Sequence, residues 1–521
     1  MIRLTDLPDD ILEEIFQAMR DIMRFPGEPP SNVPLLQFQE DSVSSYSANP
    51  DRKVVPLWAN VLILSHVCTH WRELMLYRPR LWTFIRVTGS FSSRIMANEM
   101  IERSGHFPLS ILFTNEHSRD QDRAFLDLLG IASVIGDHSE RIQELGLILR
   151  APHAGLILDS MLSNSRVPRL EKLWLDTGGD AFGLNLASPI SLFDTMVPPL
   201  RVLHVHRIPI QWLPFEELVH LELTWCASPP LPALLETLRC SPFLQTLILH
   251  TFPAKSADNG SQDGLGEYGF GAIGAAMLPC LRQLQLRVDA SFTAAFSVLP
   301  YITFPLSTAV QLSFTDWLAL GRPVYEDCES LTVLACNVEH AIFTLNGNHV
   351  YFASENPSLS VDYGVATHES EEPILPLGRL CEGFLAVPLP ALKTLSMVIY
   401  VDGLVLTHSR LARLFQAIPS IQRLAVNVHP MDSAQVFTAL ATVVKDEHGN
   451  EGVLCPELKE FAITWRGRPS ADDFWNLERC CYFRASKGRG LAKLETVPFP
   501  PIVQEVLEQS VPSVVAVGYR Q

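Results

Sequence analysis

The chain has 521 residues, enough for two or more domains or for one domain followed by a long repeat array. Apolar residues make up 47% and charged residues 19%, which excludes global disorder and leaves ample material for a buried core. A net charge of −17 makes nucleic acid and anionic membrane poor electrostatic partners, because Lys and Arg dominate affinity for both.

Met1 to Asp6 offers no basic segment followed by an apolar run, so the start does not read as a signal peptide. No apolar run approaches the roughly 18 residues that a membrane span needs. The 10 cysteines are dispersed and form no C-x-x-C, which reads as buried thiols in a reducing compartment, the cytoplasm or nucleus.

The first predicted helix covers residues 8–23. Pro8 suits a first helical position, and Asp9, Asp10, Glu13 and Glu14 crowd the end where the helix dipole favours negative charge. Ile11, Leu12, Ile15, Phe16, Met19 and Ile22 fall on one broad face. Residues 25–56 are rich in Pro, Ser, Asn and acid without periodicity and read as a disordered insertion. A second helix is predicted over 57–77, where Leu57, Val61, Leu64, Cys68, Trp71 and Met75 form a stripe that Leu62, Val67 and Leu74 widen. A helix apolar over so much of its circumference buries two faces, one against its own domain and one against a partner. Residues 1–51 hold 3 basic and 10 acidic residues and residues 52–86 hold 6 and 1, so the two halves attract each other.

Leu7-Pro8, then Ile11-Leu12 and Ile15-Phe16, then Val67-Cys68-x-x-Trp71-Arg72-Glu73-Leu74, then Pro79-x-Leu81-Trp82, in that order, resembles the F-box. The closing P-x-L-W is similar to the F-box-like form common in fungal proteins; the insertion at 25–56 replaces what is usually a short linker. The resemblance implies that residues 1–86 form an all-helical domain that binds a Skp-family adaptor and, through it, a cullin. It carries over Leu7, Pro8, Ile11, Leu12, Ile15, Val67, Cys68 and Trp71 as adaptor-binding positions. Trp71 and Trp82 have an alternative role in the module's own core.

From residue 87 a Leu-x-x-Leu-x-Leu unit recurs, at Ile142, Leu170, Leu200, Leu218, Leu244 and Leu281, then at Leu392, Ile421 and Leu458. A Pro usually stands just before it, as at Pro168, Pro199, Pro242, Pro279, Pro390, Pro419 and Pro456. The alternation after the first leucine is a short strand with one buried face. Helices are predicted between copies at Leu156–Leu162, Ala233–Cys240, Ala272–Met277, Ser409–Ala417, Ala434–Val444 and Ala471–Cys481. Strand plus helix at a period of 20–40 is the leucine-rich-repeat signature. The expected fold class is therefore α/β: the helical F-box, then over 87–521 an irregular leucine-rich-repeat solenoid (horseshoe) of short parallel strands and helices. Within 300–388, Val310 with Leu312, and Leu331-x-x-Leu334, read as degenerate copies. Val338 to Ser360 reads as extra strands with a hairpin turn at Asn346-Gly347-Asn348, and Val514–Val517 as a last strand or tail. Residues 255–268 and 364–379 read as exposed loops.

Candidate chemistry is sparse. Gly264-Leu265-Gly266-Glu267-Tyr268-Gly269 matches the dinucleotide fingerprint, but a polar loop precedes it where a strand is required, so it reads as loop. His204-x-His206 places two imidazoles on one strand face, which Glu222 and His250 on neighbouring strands could share as zinc ligands; a polar strand face with histidines is the commoner arrangement. No G-x-S-x-G, H-E-x-x-H or P-loop occurs, and neither an enzymatic activity nor a cofactor is expected. Residues between the buried leucines point into the repeat's concave face, among them Trp174, His204, His206, Glu222, His250, Arg287, Asn427 and Arg466. That mixture suits a target-protein surface, with a solvated strand face as the plainer alternative. The expected function is thus the substrate-recognition subunit of a Skp–cullin–F-box ubiquitin ligase, and the alternative is a repeat scaffold that degrades nothing.

Overall fold

The computed structural model describes residues 7–21, 65–114, 121–149, 151–162, 167–176, 190, 192–193, 197–208, 210–226, 229–251, 275–288, 296–314, 328–346, 349–354, 356, 358–364, 389–400, 407–445, 451–498 and 501–517. The fold is mixed α/β, with mostly parallel strands and 11 α-helices among the described residues. It divides into two compact units, Met1–Leu218 and Val219–Gln521. No helix among the described residues is long and apolar enough to cross a membrane.

The first unit opens with helix α1 (Asp9–Asp21), α2 (Thr69–Tyr77) and a 3-10 turn at Pro79–Trp82. Strands β1 (Phe84–Thr88), β2 (Leu109–Thr114), β3 (Ile142–Ile148), β4 (Lys172–Asp176) and β5 (Val202–His206) pair in that order, all parallel. Helices α3 (Phe91–Arg103), α4 (Gln121–Gly136) and α5 (Ala151–Leu162) join the earlier strands. The strands stay in register because each presents buried apolar residues two apart. Ile85, Ile111, Leu145, Leu173 and Leu203 form one row, and Val87, Phe113, Leu147, Leu175 and Val205 the next. A one-residue slip would turn both rows to the opposite face. Three residues before the first row, Trp82, Ile142, Leu170 and Leu200 are also buried. Trp82 of the P-x-L-W motif thus occupies the opening position of a strand unit, Trp82-x-x-Ile85-x-Val87. β1 runs across residue 86, where the sequence puts the end of the helical module.

The second unit strings β6 (His220–Cys226), β7 (Thr246–Thr251), β9 (Gln283–Val288) and β11 (Ala309–Phe314) in parallel. A meander of β12 (His340–Asn346), β13 (His349–Ser354) and β14 (Leu359–Gly364) follows, antiparallel within itself; β14 lies parallel to β11, and β12 parallel to β15 (Thr394–Tyr400). Strands β16 (Arg423–Val428), β19 (Glu460–Trp465), β20 (Lys493–Thr496) and β21 (Ser513–Ala516) continue in parallel. Two small pairs stand apart, β8 (Ala276–Met277) with β10 (Ile302–Thr303), and β17 (Val443–Lys445) with β18 (Glu451–Val453). Helices α6 (Leu231–Arg239), α7 (Glu329–Cys336), α8 (His408–Ala417), α9 (Pro430–Leu440), α10 (Ala471–Ser486) and α11 (Pro501–Ser510) lie between strands.

Several expectations need correction. The helix over 57–77 is broken: His66 and Val67 form a turn, and Cys68 adopts extended backbone (φ −157, ψ 168) as the cap of α2, with its Sγ accepting the Trp71 N–H at 3.4 Å. Arg72 Nε donates to the Ser65 carbonyl at 3.1 Å and holds the break. Residues 57–64 lie outside the described residues, as do all of 25–56, the Gly264–Gly269 motif and the loops 255–268 and 365–379. Leu331-x-x-Leu334 is no strand copy but part of α7, because Leu331, Leu334 and Ala335 bury together at helical spacing. Ala276 and Met277, the described end of the helix expected at 272–277, are strand. The helix expected over 434–444 begins at Pro430 and ends at Leu440, so Val443 and Val444 pair as strand. The strands of the expected hairpin pair antiparallel, with Asn346 opposite His349, and Gly347 and Asn348 lie outside the described residues.

α10 starts with a capping box. The Asp473 N–H donates to Ser470 Oγ at 3.3 Å, and the Ser470 N–H donates to Asp473 Oδ2 at 2.8 Å. Ser433 Oγ donates to Asp473 Oδ1 at 2.7 Å, tying the start of α9 to the start of α10. Ser470→Ala removes the cap and is expected to lower stability by about 1 kcal/mol, read as a shift in a urea midpoint; an unchanged midpoint would show that the carboxylate alone suffices.

Candidate functional site

Two surfaces carry the sequence-derived site residues. The first is built by α1 and α2. Pro8 precedes α1 and its carbonyl accepts the Leu12 N–H at 3.0 Å. Leu12 and Phe16 point inward, and the Phe16 ring meets Trp71 edge-on at 5.0 Å. Leu74, Met75, Leu81 and Trp82 complete this small core, where Trp82 Nε1 donates to the Met75 carbonyl at 2.7 Å. The opposed charges of the two halves meet as Arg78 Nε to Glu13 Oε2 at 3.3 Å, and His70 Nε2 lies 3.0 Å from Asp9 Oδ1. Of the positions expected from the sequence to bind an adaptor, Leu12 and Trp71 are therefore buried, whereas Leu7, Ile15 and Cys68 are half-buried and Pro8 is exposed. Ile11 is 45% exposed and Val67 is 53% exposed. Leu76 and Tyr77, at the end of α2, add further exposed apolar surface, which the motif did not flag.

The second surface is the strand face of each unit. In the first unit, Trp174 and His204 occupy one register position on adjacent strands and stack at 3.8 Å, 13° from parallel. One step along, His206 Nδ1 lies 3.0 Å from Asp176 Oδ1. At the near end, Glu144 accepts from Ser110 Oγ at 2.7 Å and lies 3.2 Å from Lys172 Nζ. In the second unit, His220 Nε2 lies 3.4 Å from Glu222 Oε2, and Arg287 sits over the Trp225 ring at 5.5 Å. Thr224, His250 and Arg287 share one register row, and Val398, Asn427 and Thr464 share another. Arg466 follows β19 and lies with its Cζ 3.6 Å from the Tyr400 ring centroid.

A third cluster was not legible in the sequence. Arg484 of α10 is fully buried among Cys455, Cys480 and Cys481. Its guanidinium donates to the carbonyls of Leu440 at 3.2 Å, Leu454 at 2.8 Å and Cys455 at 2.9 Å. Burial lowers the Arg484 pKa, and burial pushes the Cys455 and Cys480 thiols up to about 12, partly offset by the nearby guanidinium. These thiols hold their protons where an unfolded one, near 9, has lost its own. Their contribution to stability is thus fully present below pH 9 and falls as pH rises toward 12. A thiolate is the reactive form, so Ellman's reagent at pH 8 is expected to label exposed Cys280 and spare Cys455, Cys480 and Cys481 until the chain is unfolded. Equal labelling rates in the native protein would contradict the burial.

Two comparisons with known proteins add no relative: no protein-family model matches this chain, and no curated protein matches it.

Proposed function

We propose that this chain is the substrate-recognition subunit of a Skp–cullin–F-box ubiquitin ligase, working in the cytoplasm or nucleus. The observation that carries the reading is the apolar surface of α1 and its partner segment. Pro8, Ile11 and Val67 stay exposed although Leu12, Phe16 and Trp71 already complete a core beneath them. A small helical pair that keeps aliphatic residues outward after its core is filled has a face to offer a partner. The F-box resemblance names that partner as a Skp-family adaptor. The in-register leucine rows support a leucine-rich-repeat solenoid for the remainder, whose strand face, with Trp174, His204, His206, Glu222, His250, Arg287, Asn427 and Arg466, receives the target. The protein performs no bond chemistry in this reading; it raises the effective concentration of target lysines near the loaded enzyme.

The test is co-purification of the full-length protein with a Skp-family adaptor. Leu7→Ala/Pro8→Ala is expected to abolish it, and an undiminished yield would remove the docking assignment. Recruitment of a cullin and ubiquitination of a bound target then separate a ligase subunit from a repeat scaffold that degrades nothing.

A further inference from the structure

The strand face of the second unit carries a cation that has no acidic partner. At the edge of the same strands three cations are matched: Lys393 Nζ lies 2.8 Å from Glu339, Arg423 lies 3.7 Å from Glu460 and 3.6 Å from Glu495, and Lys493 lies 2.5 Å from Glu495. Arg466 is different. Its backbone N–H donates to the Val428 carbonyl at 2.9 Å, which continues the pairing of β19 with β16. Its side chain is exposed and lies over the ring of Tyr400, itself exposed, and no carboxylate pairs with it among the described residues. Tyr400 and Arg466 each stand two residues beyond a row formed by Val398, Asn427 and Thr464, so all five belong to one side of the strands. Within that row Asn427 Oδ1 is buried and has no hydrogen-bond partner. Which end of an amide is oxygen is assigned from its partners, so Asn427 can offer a ligand either a donor or an acceptor.

We propose that Arg466, held on Tyr400 and flanked by Asn427 and Thr464, is a recognition site for the carboxylate of an acidic side chain in an extended peptide. Stacking on a ring fixes the guanidinium plane and leaves its edge N–H groups free, and that planar fork matches a carboxylate in bidentate fashion. Charge selects the ligand. The single charge of the stacked guanidinium balances that of a carboxylate, whereas a phosphate carries nearly two, and Lys393, Arg423 and Lys493 along the strand edge are already engaged by Glu339, Glu460 and Glu495. This deepens the target-binding reading and rests on it only in taking the peptide to be part of a target protein.

The experiment uses the full-length protein and a fluorescein-labelled hexaglutamate peptide, followed by fluorescence anisotropy at low salt. Hexaglutamate is expected to bind and hexaglutamine not to. Arg466→Gln is expected to weaken binding by about tenfold or more, and Arg466→Lys by nearly as much, since losing a charge-assisted hydrogen bond is worth at least that. Asn427→Ala is expected to weaken it by about threefold. Because Arg466 is exposed, its variants should unfold at the wild-type urea midpoint, which separates lost binding from lost fold. Leu7→Ala/Pro8→Ala should bind hexaglutamate as wild type does, so failure of the adaptor assignment leaves this one standing. Wild-type affinity in Arg466→Gln, or no binding of hexaglutamate at all, overturns the proposal. Binding of a hexaserine peptide bearing phosphoserine about tenfold tighter than hexaglutamate also overturns it, by making the ligand a phosphate.

Discussion

Replacing Arg484 by alanine is expected to destabilise the second unit by about 3–5 kcal/mol, near the upper end of what single substitutions do. The side chain is fully buried and donates buried hydrogen bonds to three carbonyls. Leu440 ends α9, where the last carbonyls lack intrahelical donors, and Leu454 and Cys455 follow β18. Removing the guanidinium strips the Leu440 and Leu454 carbonyls of this donor, while the Cys455 carbonyl keeps the Leu458 N–H at 3.1 Å, and opens a cavity between α10 and both segments. Arg484→Met restores most of the volume but none of the donors, so it separates the two losses and should fall between alanine and wild type. Arg484→Lys keeps charge but cannot present a planar fork to three oxygens, and should also be destabilised. Urea unfolding followed by circular dichroism would show the shift. A midpoint change equivalent to less than about 0.5 kcal/mol for Arg484→Ala would mean that water replaces the guanidinium at no cost.

The N-terminal helices should respond to two neighbouring substitutions in opposite ways. Phe16→Ala is expected to cost about 3–5 kcal/mol locally, because its ring is buried against Trp71 and the α1–α2 core is too small to close over the gap. Hydrogen exchange of α1 and α2 amides should accelerate while β3 and β4 amides keep their protection. Ile11→Asp changes a side chain already 45% exposed. It should leave amide exchange as in wild type and abolish adaptor co-purification, since an uncompensated charge in an apolar interface is costly. If Ile11→Asp also unfolds α1, Ile11 belongs to the core and the outward-facing surface shrinks to Pro8 and Val67.

The strands were the most legible part of the sequence, because a leucine three residues before an alternating pair has one physical meaning when repeated. Leu170, Leu200, Leu244, Leu281, Leu392, Ile421 and Leu458 are all buried as that pattern requires. The same pattern is degenerate wherever other residues fill it. Val338-x-x-Ala341-x-Phe343 opens β12 and Leu491-x-x-Leu494-x-Thr496 forms β20, yet alanine and threonine conceal both. Leu331-x-x-Leu334 fails for the reverse reason: spacing of three fits a helix as well as the turn before a strand, and buried Ala335 decides for the helix. The small core of α1 and α2 was partly legible, with Trp71 open to either role. Arg484 could not be read at all, since an arginine on an amphipathic helix is ordinarily solvated and only the carbonyls of distant residues make it otherwise.

The meander of β12, β13 and β14 has a consequence for how such an array can change length. The core-facing row passes through it without a break, as Leu312, Val361, Phe352, Phe343 and Met397. Two reversals restore the original direction, so β14 lies parallel to β11 and β12 parallel to β15. Only an odd number of antiparallel strands preserves polarity in this way; one or three can be spliced between parallel neighbours, but two would leave the next strand pointing backwards. The inserted strands also enter in reverse order, the last beside β11 and the first beside β15. Antiparallel strands can therefore be gained or lost here only in pairs, and residues 340–364 count as a single parallel step of the sheet rather than a worn repeat.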